Sequence, residues 1–175
     1  MDRDGTLIEE KEYLSDPDLV APLDGAAEAL LSLRAAGFKL FIVTNQSGIG
    51  RGLFTMKEAQ RVNDRMTELF AGKGVRFEKI YVAPEAPGQP SRGRKPSPQF
   101  LLDARDEFGI DLAASFVVGD KLSDLESGWN AGVRMSILVR TGYGRRLEQE
   151  SAPALARAVV VDDLAAAARW ILEAP

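Results

Sequence analysis

Two carboxylates near the start of the chain are the first candidates for chemistry. Asp2 and Asp4 lie two residues apart, and on an extended backbone this spacing points both side chains to the same side. Such a pair could share one metal ion, or it could divide the roles of nucleophile and general acid/base. Solvated surface acids can have the same spacing, so the pair alone leaves both interpretations open.

A polar turn follows the apolar run that ends at Val43. Thr44 and Asn45 offer a hydroxyl and an amide, and the small residues Ser47 and Gly48 offer N–H groups that can converge on an anion. The glycine spacing fits neither a P-loop nor a dinucleotide-binding fingerprint. The segment is therefore a candidate anion cradle, although an ordinary polar turn has the same composition.

Three cations lie within four positions at Arg92, Arg94 and Lys95. Arginine can contact phosphate oxygens through two N–H groups, and lysine acts on them as a point charge. A basic loop in contact with water would look the same in sequence, so this cluster also has two interpretations.

A second acidic motif begins where an apolar run stops at Gly119. Asp120 stands at a position from which a strand end can present a carboxylate to a metal, and Lys121 comes directly after it. For Ser123 and Asp124, helix capping is a sufficient explanation. Capping explains Asp120 less well.

Composition restricts the chemistry that these residues can perform. The chain has 175 residues, 45% of them hydrophobic, a formal net charge of -4, and neither Cys nor His. It therefore lacks disulfides, thiolate nucleophiles, Cys/His zinc sites and His-based dyads, and its charge does not favour nucleic acid or an anionic membrane surface. No apolar segment is long enough for a membrane span, and Met1–Asp4 do not resemble a signal peptide, so we expect a cytoplasmic protein.

Alternating strand and helix patterns predict an α/β fold with a mainly parallel sheet. The predicted strands are Lys39–Thr44, Lys79–Ala83, Ser115–Gly119, Met135–Val139 and Ala158–Val161. Helices are expected from an N-cap at Asp24 to Gly37 and from an N-cap at Ser97 to Gly109. Two capping boxes, Thr55 with Glu58 and Ser123 with Glu126, predict helices that end near Gly72 and Gly132. A last helix carries Leu164, Ala168, Ile171 and Leu172 on one face. Ligands of such sheets bind beyond the carboxyl ends of the strands, where the polar motifs lie. The proline-rich segment Pro84–Pro98 is expected to be an active-site loop.

The order of these motifs resembles that of the haloacid dehalogenase (HAD) superfamily of aspartate-nucleophile phosphohydrolases. The shared features are an Asp-x-Asp-Gly-Thr motif, a strand-terminal Thr, a later Lys and a Gly-Asp-x-x-x-Asp motif. Residues 44–52, Arg94-Lys95-Pro96, Gly119-Asp120-Lys121 and residues 139–142 are more narrowly similar to the branch that contains heptose bisphosphate and histidinol-phosphate phosphatases. The resemblance covers nearly the whole chain and implies a single three-layer Rossmann-like domain over residues 1–175.

The resemblance also implies a role for each motif. Asp2 would be the nucleophile that forms an aspartyl-phosphate, and Asp4 would be the general acid/base. Mg²⁺ would be held by the Asp2 and Asp120 carboxylates and the Asp4 backbone carbonyl. The residues expected to stabilise the phosphoryl group or contact the substrate are Thr44, Asn45, Lys95, Arg51, Arg94, Lys121 and Tyr13.

Short spacings between the motifs leave no room for a large cap domain, so loops must cover the substrate. In the heptose branch, Cys and His of the long loop usually hold a structural zinc, but residues 83–94 contain neither. We therefore expect no zinc, with proline stiffness partly replacing it. An apolar strand normally precedes the first Asp in the family. Because only Met1 does so here, we expect upstream residues to supply that strand.

Phosphatase activity on a small sugar bisphosphate is the preferred function, with D-glycero-D-manno-heptose 1,7-bisphosphate as the leading substrate and lipopolysaccharide precursor biosynthesis as the implied role. Histidinol phosphate or a broad range of small phosphates are the alternative substrates. A silent phosphosugar-binding module and a structural partner-binding domain are the alternatives outside enzymology. We expect a monomer that binds neither nucleic acid nor membranes.

Overall fold

The computed structural model describes residues 1–174, which form five strands and seven α-helices. The strands are β1 (Phe41–Asn45), β2 (Lys79–Ala83), β3 (Phe116–Gly119), β4 (Met135–Val139) and β5 (Ala158–Val161). The helices are α1 (Ala26–Ala35), α2 (Ser47–Gly50), α3 (Met56–Ala71), α4 (Gln99–Phe108), α5 (Leu122–Ala131), α6 (Gly144–Ser151) and α7 (Leu164–Glu173). Short 3-10 turns occur at Pro17–Leu19, Leu112–Ala114 and Ala152–Leu155.

The predicted strands are confirmed, with ends that differ by at most two residues, whereas α2 and α6 were not predicted. The capping box at Thr55 and Glu58 is present, with the Glu58 N–H donating to Thr55 Oγ1 over 3.2 Å. The predicted caps of three other helices are wrong. Gly25, not Asp24, precedes α1, and it has no side-chain cap.

The box expected at Ser123 lies two residues earlier along the chain. Lys121 is the N-cap of α5, and its N–H donates to Asp124 Oδ2 over 2.9 Å. At α4, the cap is Pro98 and not Ser97. On α7, Leu172 is 43% exposed, although it was placed on the buried face with Leu164.

All strand pairs are parallel and form two ladders, β1 with β2 and β3 with β4 and β5. The backbone of residues 1–2 lies between the ladders. Val43 N–H donates to the Met1 carbonyl and Asp2 N–H donates to the Val118 carbonyl, each over 2.9 Å. Asp2 is thereby fixed between β1 and β3, close to their carboxyl ends.

Side chains of β1 and β4 alternate between two faces, as extended strands require. Ile42 and Ile137 pack in a core with α1, α3 and α7, whereas Phe41 and Val43 face α4. Leu138 packs on that second side, with Leu125 of α5. The strands are therefore covered by helices on both sides, which confirms the predicted three-layer α/β architecture.

The amino ends of β1 and β3 border an apolar cavity of about 390 Å³, whose walls include Met1, Phe41, Ala104, Val117 and Ile171. None of the helices within residues 1–174 is both long and apolar enough to span a bilayer.

Candidate active site

Four charged side chains meet where β1 and β3 end, and we call them the charged floor: Asp2, Lys95, Asp120 and Asp124. All of them are at most 5% exposed. Asp120 directly follows β3, and Asp124 lies in the first turn of α5. Gly5 and Gly142 border the Asp120 carboxylate so closely that a Cβ atom on either would collide with it. Glycine is therefore needed at both positions where this carboxylate is buried.

Lys95 connects the two sides of the charged floor. Its Nζ atom lies 2.7 Å from Asp2 Oδ1 and 2.6 Å from Asp124 Oδ1, and it also donates to the Val43 carbonyl over 2.6 Å. The ammonium group thus has three oxygen partners, which a buried cation needs in order to offset its lost hydration. Lys95 thereby fixes the orientation of the Asp2 carboxylate.

Burial and neighbouring charges set the protonation of the floor. Burial opposes ionisation of Asp2, but the charges of Lys95 and Lys121 outweigh it and hold the Asp2 pKa below its usual value. Burial and the charge of Asp2 raise the pKa of Asp120 to about 8. Burial also raises the pKa of Asp124. Burial would lower the pKa of Lys95, yet Asp124 and Asp2 raise it. With all three carboxyl groups ionised, the floor would hold more negative charge than Lys95 alone can offset, so the floor without a metal resists full ionisation.

This arrangement fits a hard divalent cation. Carboxylate oxygens of Asp2, Asp120 and Asp124 lie within 4.8 Å of one another. Within residues 1–174, the buried Oδ1 atom of Asp120 has no hydrogen-bond partner. An all-oxygen donor set of this kind suits Mg²⁺, which would also neutralise the surplus charge.

The carboxylate of Asp4 is turned toward other partners. It accepts hydrogen bonds from Nε and a terminal nitrogen of Arg3, and from Nε2 of Gln46, each over 3.0 Å. The same Gln46 nitrogen donates to Thr44 Oγ1 over 2.7 Å. A second cavity opens above the charged floor, at the carboxyl ends of the strands. Asp4 is 8% exposed and lines this cavity, so it lies close to the space where a ligand would bind.

Asn45 links the end of β1 to the loop that carries Lys95. Its Oδ1 atom accepts from the Lys95 N–H over 3.0 Å, and its Nδ2 atom donates to the Lys95 carbonyl over 3.1 Å. The Asn45 side chain therefore fixes the Lys95 backbone, whereas the contact with the phosphoryl group that we expect from the Asn45 backbone stays a prediction. Asn45 also lines the cavity.

The cavity has a volume of about 340 Å³. We call five residues at its mouth the rim, namely Glu10, Tyr13, Arg94, Lys121 and Tyr143. Lys121 Nζ lies 2.8 Å from Glu10 Oε2 and 4.8 Å from the centre of the Tyr143 ring. Burial would lower the pKa of Lys121, but Asp2, Asp120 and Glu10 raise it, so its charge is secure.

Hydrogen bonds within the loop Pro84–Pro98 hold Arg94 at the rim. Its N–H donates to Ser91 Oγ over 3.1 Å, and Ser91 in turn donates to Glu85 Oε2 over 2.6 Å. Its guanidinium donates to the Glu85 carbonyl over 3.0 Å. These contacts order the loop where the heptose branch usually has its zinc ligands. The expectation of no zinc stays a prediction.

Two other cations of the sequence analysis do not line the cavity. Arg92 points to α4 and forms a two-pronged ion pair with Asp103. Arg51 is exposed outside the cavity wall, although its charge contributes, after burial, to the lowered pKa of Arg94. Arg92 therefore fits the alternative of a solvent-exposed basic loop, and the substrate contact expected of Arg51 stays a prediction.

Sequence reasoning missed Gln46 and assigned Asp124 only a capping role. Asp124 does accept the cap hydrogen bond, but its other carboxylate oxygen faces Lys95. The Gly-Asp-x-x-x-Asp spacing was the available signal, since the first helical turn returns the second Asp to the strand end. No comparable signal marks Gln46.

Comparisons with known proteins agree with this geometry. A family model described as HAD-hydrolase-like matches residues 93–167. The chain is 38% identical to a D-glycero-beta-D-manno-heptose-1,7-bisphosphate 7-phosphatase of Photorhabdus laumondii, over 87% of this chain and 85% of the relative. The Escherichia coli K12 protein of the same description is 40% identical over 87% of this chain and 83% of its own.

Among solved structures, the chain is similar to a D,D-heptose 1.7-bisphosphate phosphatase from B. bronchiseptica complexed with magnesium and phosphate. The TM-score is 0.89 at 34% identity, and the match covers 99% of this chain and 97% of the other.

Proposed function

Because the chain belongs to the HAD hydrolases and is a phosphoric monoester hydrolase, we propose that its substrate is D-glycero-D-manno-heptose 1,7-bisphosphate, hydrolysed at the 7-phosphate with Mg²⁺. The charged floor carries this proposal. It combines an ionised carboxylate, oriented by the Lys95 ion pair of 2.7 Å, with a carboxylate cluster that fits a divalent cation.

Asp2 and Asp4 would divide the reaction into two balanced steps. In the first, a carboxylate oxygen of Asp2 attacks phosphorus, the bond from phosphorus to the ester oxygen breaks, and the Asp4 carboxyl gives its proton to the departing alkoxide. In the second, Asp4 takes a proton from water while the water oxygen attacks phosphorus. The bond between Asp2 and phosphorus then breaks, and inorganic phosphate leaves.

Neighbouring residues would stabilise the charge that spreads over the phosphoryl oxygens. Lys95 supplies a fixed positive charge beside Asp2. Thr44 Oγ1 accepts from Gln46, so its own hydroxyl proton remains available for a phosphoryl oxygen. Mg²⁺ held by the carboxylates of Asp2, Asp120 and Asp124, with the Asp4 carbonyl, would neutralise and orient the phosphoryl group.

The rim supports a substrate with polar groups beyond the reacting phosphate. Arg94 and Lys121 can bind further phosphate or hydroxyl oxygens, and Glu10 can accept from a hydroxyl. Tyr13 lines the same mouth and is 45% exposed. A cavity of about 340 Å³ suits a small phosphorylated sugar.

Phosphate release from a panel of substrates tests the proposal. We expect the highest kcat/KM with D-glycero-D-manno-heptose 1,7-bisphosphate, compared with histidinol phosphate and hexose bisphosphates, and no turnover after removal of Mg²⁺ by a chelator. The variant Asp2→Asn serves as the control and should lose at least about 10⁴-fold in activity. A higher kcat/KM with histidinol phosphate would reassign the substrate, whereas full activity of Asp2→Asn would overturn the mechanism.

A further inference from the structure

Arg3, between the two aspartates, has an unusual environment for an arginine. It is 1% exposed, and it is among the largest fully buried side chains of the protein. A guanidinium removed from water needs hydrogen-bond acceptors at each side of its plane. Two of its nitrogens donate to Asp4, so the remaining terminal nitrogen requires a partner elsewhere.

Asn63 supplies that partner from outside all the sequence motifs. Its Oδ1 atom accepts from the third guanidinium nitrogen of Arg3 over 2.7 Å, and Asn63 itself is 1% exposed. It lies on the buried face of α3, beside Val62 and Met66. A buried amide among apolar residues is costly unless it is hydrogen-bonded, and here its carbonyl oxygen meets a buried charge.

Helix α3 gives Asn63 a rigid base. The helix has 16 residues, a capping box at its start, and the apolar residues Ala59, Val62, Met66 and Phe70 in the core. A side chain on such a helix holds its position better than one on a loop. One edge of the Arg3 guanidinium is therefore held by α3, while another edge forms two parallel hydrogen bonds with Asp4.

We propose that Asn63 is a positioning residue that acts through Arg3 on Asp4. By holding the guanidinium plane, Asn63 fixes the orientation of the Asp4 carboxylate relative to the ester oxygen. This inference rests on the proposed function, in which Asp4 protonates the departing alkoxide. In the first step of the reaction, its effect should appear only where proton transfer to the leaving group matters, because misaligned proton donors lose their rate advantage steeply.

The test compares leaving groups in the first turnover, before the aspartyl-phosphate is hydrolysed. An alkyl phosphate needs a proton on its leaving oxygen, whereas p-nitrophenol leaves readily without one. For Asn63→Leu, which has similar volume and no acceptor, we expect a loss of roughly 10- to 100-fold with the alkyl phosphate. With p-nitrophenyl phosphate we expect a loss of less than about 3-fold, and little change in KM for either substrate.

Two variants separate positioning from a loss of structure. Asn63→Asp keeps the acceptor and should return the alkyl phosphate rate to within about 3-fold of the parent protein. Val62→Ala removes packing from the same buried face without touching Arg3, and it should lower Tm without any dependence on the leaving group. If Asn63→Leu does not fold, Asn63→Ala takes its place in the same comparison.

Equal losses with both substrates, or no recovery in Asn63→Asp, would show a purely structural role and overturn the inference. Asp4→Asn, assayed in parallel, tests the premise separately. If that variant shows no dependence on the leaving group, the role of Asp4 in the proposed function is wrong. If it does and Asn63→Leu does not, only the role of Asn63 is wrong.

Discussion

The charged floor and the rim use the same kinds of side chain in opposite environments. Lys95 on the floor is 5% exposed and lies within 2.7 Å of two carboxylates that are equally buried. Lys121 on the rim also has a carboxylate partner at 2.8 Å, but 38% of its side chain is exposed. Water and salt weaken the second pair far more than the first. Changes on the floor should therefore alter the reaction rate, and they should lower stability where they leave a buried charge without its partner. Changes on the rim should alter substrate binding alone.

Replacing Lys95 gives the strongest test of this difference. Lys95→Met leaves the buried carboxylates of Asp2 and Asp124 without their cation, so we expect the free energy of unfolding to fall by roughly 3–5 kcal/mol. Activity should fall at least about 10³-fold, because the phosphoryl charge also loses its partner. Chemical denaturation and initial rates measure the two effects.

A surface lysine provides the matched control. Lys79 forms an ion pair with Glu107, but its side chain is 41% exposed. Lys79→Met should leave activity unchanged and cost at most about 1 kcal/mol. Similar losses in the two variants would show that burial does not distinguish the Lys95 ion pairs from an exposed ion pair.

Asp120→Asn should separate activity from stability. With the pKa of Asp120 raised to about 8, the metal-free folded protein keeps a proton between pH 4 and 8 that the unfolded chain has released. The free energy of unfolding therefore falls as pH rises across this range, and this loss is complete above about pH 8. Asparagine does not ionise, so the variant avoids this loss of stability. At pH 8 in the presence of a chelator, its Tm should exceed that of the parent protein by roughly 3–6 °C.

The same variant should lose at least about 100-fold in activity, and Mg²⁺ should no longer raise its Tm as it does for the parent protein. Thermal scans at pH 5 and pH 8, with chelator and with Mg²⁺, distinguish these effects. A Tm advantage of the variant that grows as the pH falls would contradict the sign of the argument.

Asp124→Asn tests the residue whose second role the sequence did not reveal. Asparagine keeps an acceptor for the Lys121 N–H, so the helix cap survives and Tm should change by less than about 3 °C. The charge facing Lys95 is lost, and we expect kcat/KM to fall roughly 10- to 50-fold. Asp163 caps α7 away from the site, so Asp163→Asn should leave kcat/KM unchanged. Equal activity in the two variants would return Asp124 to a purely capping role.

The smallest effects are expected on the loop of the rim. Arg94→Met should raise KM for the sugar bisphosphate about 10-fold with little change in kcat, and p-nitrophenyl phosphate should be hydrolysed as before. Ser91→Ala removes the hydroxyl that holds the Arg94 backbone and should raise the same KM about 3-fold. Arg92→Met removes an equal charge two residues away, but Arg92 pairs with Asp103, so its kinetics should match the parent protein. A fall in kcat for Arg94→Met would place that residue with the floor.

The sequence predicted the floor better than its surroundings, for a physical reason. Asp2 and Asp120 occupy the ends of extended segments, and parallel strands bring such ends to one edge whatever the loops do. Lys95 required the family resemblance, because a loop alone does not determine where its lysine points. Gln46 and Asn63 could not be found in this way. Their partners are 42 and 60 residues distant along the chain, and no sequence pattern pairs them. Asn63 reaches Arg3 through the packing of α3, whereas Gln46 reaches Asp4 from the turn that follows β1.

The caps show the same limit at short range. Thr55 and Glu58 satisfy each other within one turn, so the sequence pattern was sufficient. At α5, the same type of box begins at Lys121, a residue that sequence preferences would not choose as a cap. Asp124 is drawn there by the charge of Lys95 as well as by the backbone N–H.

The paired hydrogen bonds between Asn45 and the Lys95 backbone have an evolutionary consequence. They attach the last part of the loop to β1, so Lys95 stays in reach of Asp2 however the preceding residues are arranged. Insertions and deletions in residues 84–93 can then accumulate without displacing the ammonium group. Changes in residues 84–93 can then alter which substrate the protein prefers, while the residues that act on the phosphoryl group keep their positions.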